Sequence, residues 1–307
     1  MITALLLLLL QQQYEVRGTL VPAAQASVSL HGSTTPFHSS TLAGPDGKFR
    51  FKRIVPGAYT VIVFVPGRGE TRKTIDIGPS VADKKGRVEI ALRLDESKMT
   101  PDRSSLVSLR ELSIPQSARD EYAKAARQLE TRDVDAAIKH LNRAVEIAPQ
   151  FAAAWNHLGT IAYQTRRYED AEKFFRRSLE ADAEAYEPLV NLGGVLATLG
   201  RYDEAWNYNL HAVLRRPNDA LAQSQMGMTY FGMNRFDLAE KYLLEAVRLD
   251  PGHFSLPQLL LAEIYLHRGQ KAKAANVLED FLRRHPDWPL AEKMRDTISQ
   301  LRGSPGT

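Results

Sequence analysis

Residues 192–205, with the sequence LGGVLATLGRYDEA, decide the fold of the larger part of this 307-residue chain. The last of them belongs to a series of alanines spaced 34 or 35 residues apart: Ala137, Ala171, Ala205, Ala239 and Ala274. A second series keeps the same interval, with alanine in its second position: Pro149, Ala183, Pro217, Pro251 and Pro286. A constant interval of this length indicates stacked units, each a pair of helices that cannot bury its apolar face alone.

The residues between these positions explain how two helices of one unit can pack. Small residues at Gly159, Ala171 and Gly193 allow antiparallel helices to approach closely, while Phe175 and Leu243 fill the space between units. Proline ends the second helix of a unit because it cannot continue the hydrogen-bond ladder. Aromatic residues precede the alanines by three positions at Tyr168, Tyr202 and Phe236.

In all of these features the segment resembles the tetratricopeptide repeat. Five copies are in phase, over residues 118–151, 152–185, 186–219, 220–253 and 255–288. Residues 290–301 are an amphipathic segment that follows Pro289, and we expect residues 289–302 to be a capping helix that completes the array.

The resemblance implies a right-handed superhelix with a concave groove, lined by the first helix of each pair, that binds a protein or an extended peptide. Transferred to this sequence, the groove positions are Arg119, Tyr122, Leu129, Asn156, Thr160, Tyr163, Gln164, Glu187, Asn191, Ser224, Met228, Phe231, Glu263 and His267. The basic clamp for a free carboxyl terminus, found in chaperone-binding relatives, is absent from these positions. A partner that presents such a terminus is therefore not favoured.

Residues 14–94 have a different period, because apolar residues alternate with polar ones as in half-buried strands. The pattern is visible in residues 26–30, 48–52 and 59–65. An Asp-Gly pair at Asp46-Gly47 and the turn at Pro56-Gly57 separate the strands. About seven short strands at this spacing predict a two-sheet β-sandwich.

The order and spacing of four short motifs resemble the carboxypeptidase-regulatory-like domain, which has a transthyretin-like fold. These motifs are Val16-x-Gly18, Ala26-x-Val28-x-Leu30, Asp46-Gly47-x-Phe49-x-Phe51 and Val55-Pro56-Gly57-x-Tyr59. The resemblance implies a non-catalytic module of bacterial envelope or secreted proteins.

One strand of the predicted sandwich carries Lys48, Arg50 and Lys52 on one face. The simpler interpretation is the solvated face of an antiparallel strand. The alternative is a weak contact with a polyanion. Binding to a glycan would need exposed aromatic residues, for which Phe37, Tyr59 and Phe64 are the candidates.

The ends of the sandwich segment predict a leader and a connector. Residues 1–13 contain six leucines, Leu5 to Leu10, a run of the length found in the core of a signal peptide but too short to cross a membrane. No basic residue precedes the run and no small-x-small cleavage site follows it. We expect a signal peptide or an apolar leader, and hence export to the periplasm, the envelope or the exterior, with a cytoplasmic location as the alternative. Residues 95–117 are a connector, whose apolar part we expect to dock on the first helix or to add a strand.

Composition excludes several kinds of chemistry. The chain has no cysteine, so disulfides, thiolate zinc sites and cysteine nucleophiles are ruled out. No phosphate-binding loop, metalloprotease motif or nucleophile elbow occurs, and His157 and His211 have no second ligand four residues on. We therefore expect no enzyme activity, cofactor, metal site or nucleic-acid partner, although a hydrolase cluster between domains is not excluded. The formal charge of +4 is uneven, at +5 for residues 1–100 and −1 for residues 117–307.

Together these patterns predict a small antiparallel β-sandwich followed by an all-α superhelix of five helix pairs and a capping helix. The predicted function is a non-enzymatic scaffold or adaptor in the bacterial envelope or exterior. The alternative is a carbohydrate-binding or surface-attachment protein that acts through the sandwich.

Overall fold

The computed structural model describes residues 12–95, 99 and 112–303. Its first part contains seven strands in two sheets: β1 (Tyr14–Val21), β2 (Ala26–Gly32), β3 (His38–Ala43), β4 (Lys48–Ile54), β5 (Gly57–Val65), β6 (Gly69–Ile77) and β7 (Arg87–Arg93). One sheet has the order β4-β1-β7 and the other has the order β3-β2-β5-β6. The leader and most of the connector lie outside the described residues.

The two sheets pack through the apolar residues of their alternating patterns. Val16, Val28, Leu30 and Val61 are all fully buried in a single cluster between the sheets. Within the four-stranded sheet all pairs are antiparallel, with Val28 opposite Val63 and Thr60 opposite Thr74. In the other sheet β1 is antiparallel to β4 but parallel to β7. In the part of the chain that the structure describes, β6 is thus an edge strand, with a partner strand on one side of its backbone only.

The second part contains eleven helices among the residues that the structure describes. They are α1 (Gln116–Glu130), α2 (Val134–Ile147), α3 (Ala152–Gln164), α4 (Tyr168–Ala181), α5 (Tyr186–Thr198), α6 (Tyr202–Arg215), α7 (Ala220–Gly232), α8 (Phe236–Leu249), α9 (Pro257–His267), α10 (Lys271–Arg284) and α11 (Ala291–Gly303). The odd-numbered helices α1 to α9 are the first helices of five pairs, and α11 closes the array. The predicted fold class, a β-sandwich followed by a five-pair superhelix with a capping helix, is confirmed.

Small residues bring the paired helices together as the sequence predicts. A Cβ atom on Gly159 of α3 would lie 2.5 Å from the ring of Phe175 on α4, which is itself buried. Gly227 of α7 meets Leu243 of α8 in the same way, at 2.6 Å. These contacts fix the spacing inside each pair, so the first helices are held side by side as one surface.

The end of the connector packs on the first helix pair. Ile114 is buried against Ala118 of α1 and Ala148, which follows α2. This agrees with docking rather than with an added strand for this residue, while residues 106–111 lie outside the described part of the chain.

Candidate protein-binding surface

The face formed by the first helices, which is the concave face of such a superhelix, is partly covered by the sandwich of the same chain. The covering surface is the outer side of the four-stranded sheet together with the edge strand β6. Contacts join strands and helices that are separated by 70 to 210 residues, and they fall into three groups along the array.

The first group lies at the turn between α1 and α2. The guanidinium of Arg132 lies over the ring of Phe37, 4.5 Å from its centroid, and also donates to the hydroxyl of Tyr59 at 2.7 Å. Nearby, the hydroxyl of Ser39 donates to Glu130 at 2.9 Å. Arg132 adopts a left-handed backbone conformation, with a φ of 64°. The turn thus directs one arginine into the end of the sandwich.

The second group is a cluster of three imidazoles between β2, β3 and α3. The rings of His31 and His38 lie 4.6 Å apart, and the ring of His157 lies 6.5 Å from that of His38. Tyr122 of α1 stacks on His157 at 5.1 Å. At the end of α3, Gln164 donates through its side-chain amide to the carbonyl of Gly32 at 2.8 Å.

The surroundings of these histidines disfavour protonation. Burial lowers the pKa of His157 to about 4, and the neighbouring His38 adds to the effect. Burial, the other two imidazoles and Arg72 hold the pKa of His31 well below its usual value. Burial also lowers the pKa of His38, which Glu130 opposes. Near neutral pH the interface therefore contains neutral imidazoles.

The third group is the edge strand β6, which lies across the later repeats. Arg72 pairs with Glu187 at the start of α5, and Lys73 contacts Asp250, after α8, at 2.7 Å. The same carboxylate accepts the backbone N–H of Thr74 at 2.9 Å. Asp76 pairs with His285, which follows α10. Beyond β6, the backbone N–H and the hydroxyl of Ser80 both donate to Asp287.

Charge complementarity accounts for the position of Arg72. Burial alone would raise the pKa of Glu187, but Arg72 and Arg216 outweigh it and hold that pKa below its usual range. Correspondingly, the pKa of Arg72 is raised despite its burial, because Glu187 and Glu70 lie beside it. Both groups remain charged, and each compensates the other in a partly buried position.

Part of the first-helix face remains uncovered, at Tyr163 near the end of α3 and around the carboxyl ends of α7 and α9. Tyr163 is exposed, and its hydroxyl lies 3.4 Å from that of Thr198. Phe231 and His267 both pack on Phe236, with ring centroids 5.6 and 4.7 Å away. Two open clefts of about 600 and 510 Å³ adjoin this edge, and Arg235 lines both of them.

The fourteen predicted groove residues lie in three different environments. The exposed ones are Arg119, Tyr163, Glu263 and His267. Gln164 and Glu187 contact the sandwich directly, and Tyr122 does so through His157. The remaining seven are buried or half-buried within the array: Leu129, Asn156, Thr160, Asn191, Ser224, Met228 and Phe231.

Several of the inward residues bond to one another. The amide of Asn191 donates to the amide oxygen of Asn156 at 3.1 Å, and Ser255 donates to the hydroxyl of Ser224 at 2.7 Å. The hydroxyl of Thr160 donates to the carbonyl of Asn156. The first bond links α5 to α3, the second links the loop before α9 to α7, and the third lies within α3. These side chains therefore have a structural role at positions that the resemblance assigns to ligand contacts.

The sandwich residues singled out for other ligands are placed unevenly. Phe37 and Tyr59 are buried beneath Arg132, and two of the three aromatic candidates for a glycan contact are therefore covered. Lys48, Arg50 and Lys52 are exposed on the sheet that faces away from the helices. The polyanion contact stays a prediction.

Sequence reasoning did not identify the residues that join the two parts. Arg72, Lys73, Arg132, Asp250 and His285 were not selected, because no local pattern distinguishes them from solvated side chains. One signal was present, since the first 100 residues have a charge of +5 and the array is slightly acidic. That asymmetry marks the sandwich as the basic part of the chain, but it does not identify which residues of the array it contacts.

Comparison with known proteins confirms the repeats. Family models of the tetratricopeptide repeat match residues 122–186 and 230–296. The structure of PilW, described as a widely conserved type IV pilus biogenesis factor, is 21% identical, with a TM-score of 0.55 over 62% of this chain and 87% of that chain. A tetratricopeptide repeat protein from Parabacteroides merdae is 18% identical, with a TM-score of 0.50 over 62% and 75%. These likenesses support the fold alone.

Curated relatives share the repeats over a shorter segment. The human cell division cycle protein 16 homolog is 30% identical over 128 residues, which are 39% of this chain and 21% of the relative. The Hsp70-Hsp90 organising protein of Plasmodium falciparum is 28% identical over 123 residues, 40% of this chain and 45% of the relative. The chain thus spans less than half the length of these relatives. The carboxypeptidase-regulatory-like identity of the sandwich stays a prediction.

Within the described ranges, no helix combines the length and the apolar character that a membrane span requires. Among the same residues, no group of three or more histidine and carboxylate side chains is arranged to hold a metal ion.

Proposed function

We propose that this protein is a non-enzymatic scaffold that binds a protein, through an extended segment, on the first-helix face of its repeat array. One observation carries the proposal: at the start of α5 and at the loops before α9 and α11, the array already holds an extended polypeptide strand. Strand β6 is bound there through side chains and through a main-chain N–H, which are the groups that any extended ligand would offer.

The array provides more than the part that β6 covers. The uncovered part contains the exposed Tyr163 and the half-buried Phe231 and Phe236, of which Phe236 lines one of the two clefts. Aromatic anchors contribute much of the binding energy in protein interfaces. Relatives named for the organisation of Hsp70 and Hsp90 and for the anaphase-promoting complex support a role in protein assemblies.

Site-specific photocrosslinking tests the proposal on the intact chain. A benzoylphenylalanine placed at Tyr163 or Phe231 is expected to form discrete adducts with a partner protein in extract of the source cells. The matched controls are Leu214 and Leu244, which are exposed on the second helices α6 and α8. Equal adduct yields from all four positions would contradict binding on the first-helix face.

We also propose that the protein is exported to the periplasm, the envelope or the exterior. The support is the leucine run ahead of the sandwich and the resemblance of the sandwich to an envelope module. Mass spectrometry of the mature amino terminus measures this directly. An intact Met1 on protein isolated from the source cells would remove the support for export.

A further inference from the structure

The edge strand β6 is the part of the sandwich that resembles a bound ligand. Since the sheet order is β3-β2-β5-β6, the outer side of β6 has no neighbouring strand among the described residues. Its backbone instead faces the repeat array, and the N–H of Thr74 donates to a carboxylate rather than to another strand. Contacts of this kind, between main-chain groups of a strand and a neighbouring surface, recur in the recognition of extended peptides.

The array meets β6 and the residues just after it with carboxylates that are spaced along its later part. Glu187 begins the third pair, Asp250 precedes the fifth, and Asp287 precedes the final helix. Asp250 is 4% exposed, so its charge must be compensated, and the structure compensates it with the ammonium of Lys73 and the N–H of Thr74. Glu187 is likewise paired with Arg72. An occupant of this surface must therefore provide two adjacent basic side chains and an extended backbone with a free N–H.

We propose that this surface selects, in a partner protein, an extended segment with two adjacent basic residues, and that β6 is a built-in competitor for the same position. This inference rests on the proposed function and specifies the partner chemistry. The sandwich is tethered to the array, so it competes at an effective concentration that a free partner segment must exceed. The apparent affinity for the partner is the intrinsic affinity multiplied by the fraction of molecules in which β6 is undocked.

A labelled peptide with the sequence of residues 69–77, GETRKTIDI, is the probe, and binding to the full chain is measured by fluorescence anisotropy. The double variant Arg72→Glu/Lys73→Glu places like charges opposite Glu187 and Asp250 and displaces β6. It is expected to bind the peptide about tenfold more tightly than the unaltered chain. The matched control, Lys52→Glu/Arg53→Glu, makes the same change of charge on β4, away from the array, and is expected to leave peptide affinity unchanged.

Two further measurements identify the groups involved. Adding Asp250→Asn to the displaced variant is expected to abolish peptide binding, with circular dichroism showing that the helices are retained. A peptide with glutamate in place of its arginine and lysine is expected not to bind. The inference is overturned if the two charge-reversed chains bind the peptide equally, or if both peptides bind alike. In that outcome, crosslinks from Tyr163 and Phe231 would still support the proposed function, so the two failures are distinguishable.

Discussion

At the scale of single residues, Asp250 is the array residue whose burial depends most clearly on β6. A carboxylate removed from water costs several kcal/mol unless it is paired, and here it is paired with an ammonium and with a main-chain N–H. Neither donor belongs to the repeats. Both groups that compensate the charge of Asp250 therefore come from the sandwich.

The three imidazoles at the interface predict a loss of stability in acid. The pKa of His157 is lowered from its ordinary value of 6.5 to about 4, so a state in which this side chain is in water binds more protons below pH 6.5. The contribution of the neutral His157 side chain to the free energy of unfolding is therefore complete above pH 6.5 and is lost as the pH falls towards 4. For His157 the loss at pH 5 is at most about 2 kcal/mol. His31 and His38 act in the same direction.

Urea unfolding at pH 7.5 and pH 5 measures this effect. The variant His157→Gln is expected to lose less free energy of unfolding between the two pH values than the unaltered chain, because one titrating group has been removed. His211→Gln, on the exposed side of α6, is the control and is expected to keep the full pH dependence. The same pH dependence in both variants would show that the interface imidazoles are not its source.

At the scale of elements, the close approach of α3 and α4 predicts the effect of one added methyl group. In Gly159→Ala the new Cβ would lie 2.5 Å from the ring of Phe175, which is almost completely buried. Overpacking costs about 1–3 kcal/mol, and it is expected to outweigh the roughly 1 kcal/mol of helix propensity gained. Thermal unfolding is therefore expected at a lower temperature.

A second substitution and a control identify the cause. Phe175→Leu is expected to destabilise the unaltered chain but to restore part of the stability of Gly159→Ala, since it removes the clashing ring. Gly252 has no atom within 4 Å of an added Cβ, and Gly252→Ala is expected to be nearly neutral. Strictly additive effects of Gly159→Ala and Phe175→Leu would contradict the steric explanation.

The elements differ in how far they could be predicted from the sequence. The helix pairs follow from a local period, because Gly159 and Phe175 are only 16 residues apart and their spacing recurs in later repeats. The strands follow from alternation in the same way. The docking of β6 depends on contacts such as that between Lys73 and Asp250, 177 residues apart, and no period relates those two residues. The helices of the candidate surface were therefore predictable from the sequence, whereas the strand of the same chain that lies against them was not.

At the scale of the whole molecule, the sandwich is docked on part of the first-helix side of the repeat array, and we call this arrangement the closed state. The contacts extend from Arg132 at the first repeat to Asp287 before the last helix, so docking is expected to hold the sandwich in one orientation. The charges of the two parts favour this state, and anything that reverses the charge of β6 should open it. Access of a partner to the first-helix face then depends on the equilibrium between the closed and open states.

The absence of cysteine makes that equilibrium directly measurable, because two introduced cysteines can be spin-labelled without background. Glu89 on β7 and Lys173 on α4 are exposed and belong to different domains, so Glu89→Cys and Lys173→Cys report the distance between them. Pulsed electron paramagnetic resonance at pH 7.5 is expected to give one narrow distribution of distances between the two spin labels. The distribution should broaden when Arg72→Glu/Lys73→Glu is added, and it should stay narrow with Lys52→Glu/Arg53→Glu. A narrow distribution in both charge-reversed chains would mean that the pairing of β6 with Glu187 and Asp250 does not control closure. The contacts of Arg132 and of the imidazole cluster would then be sufficient to hold the two domains together.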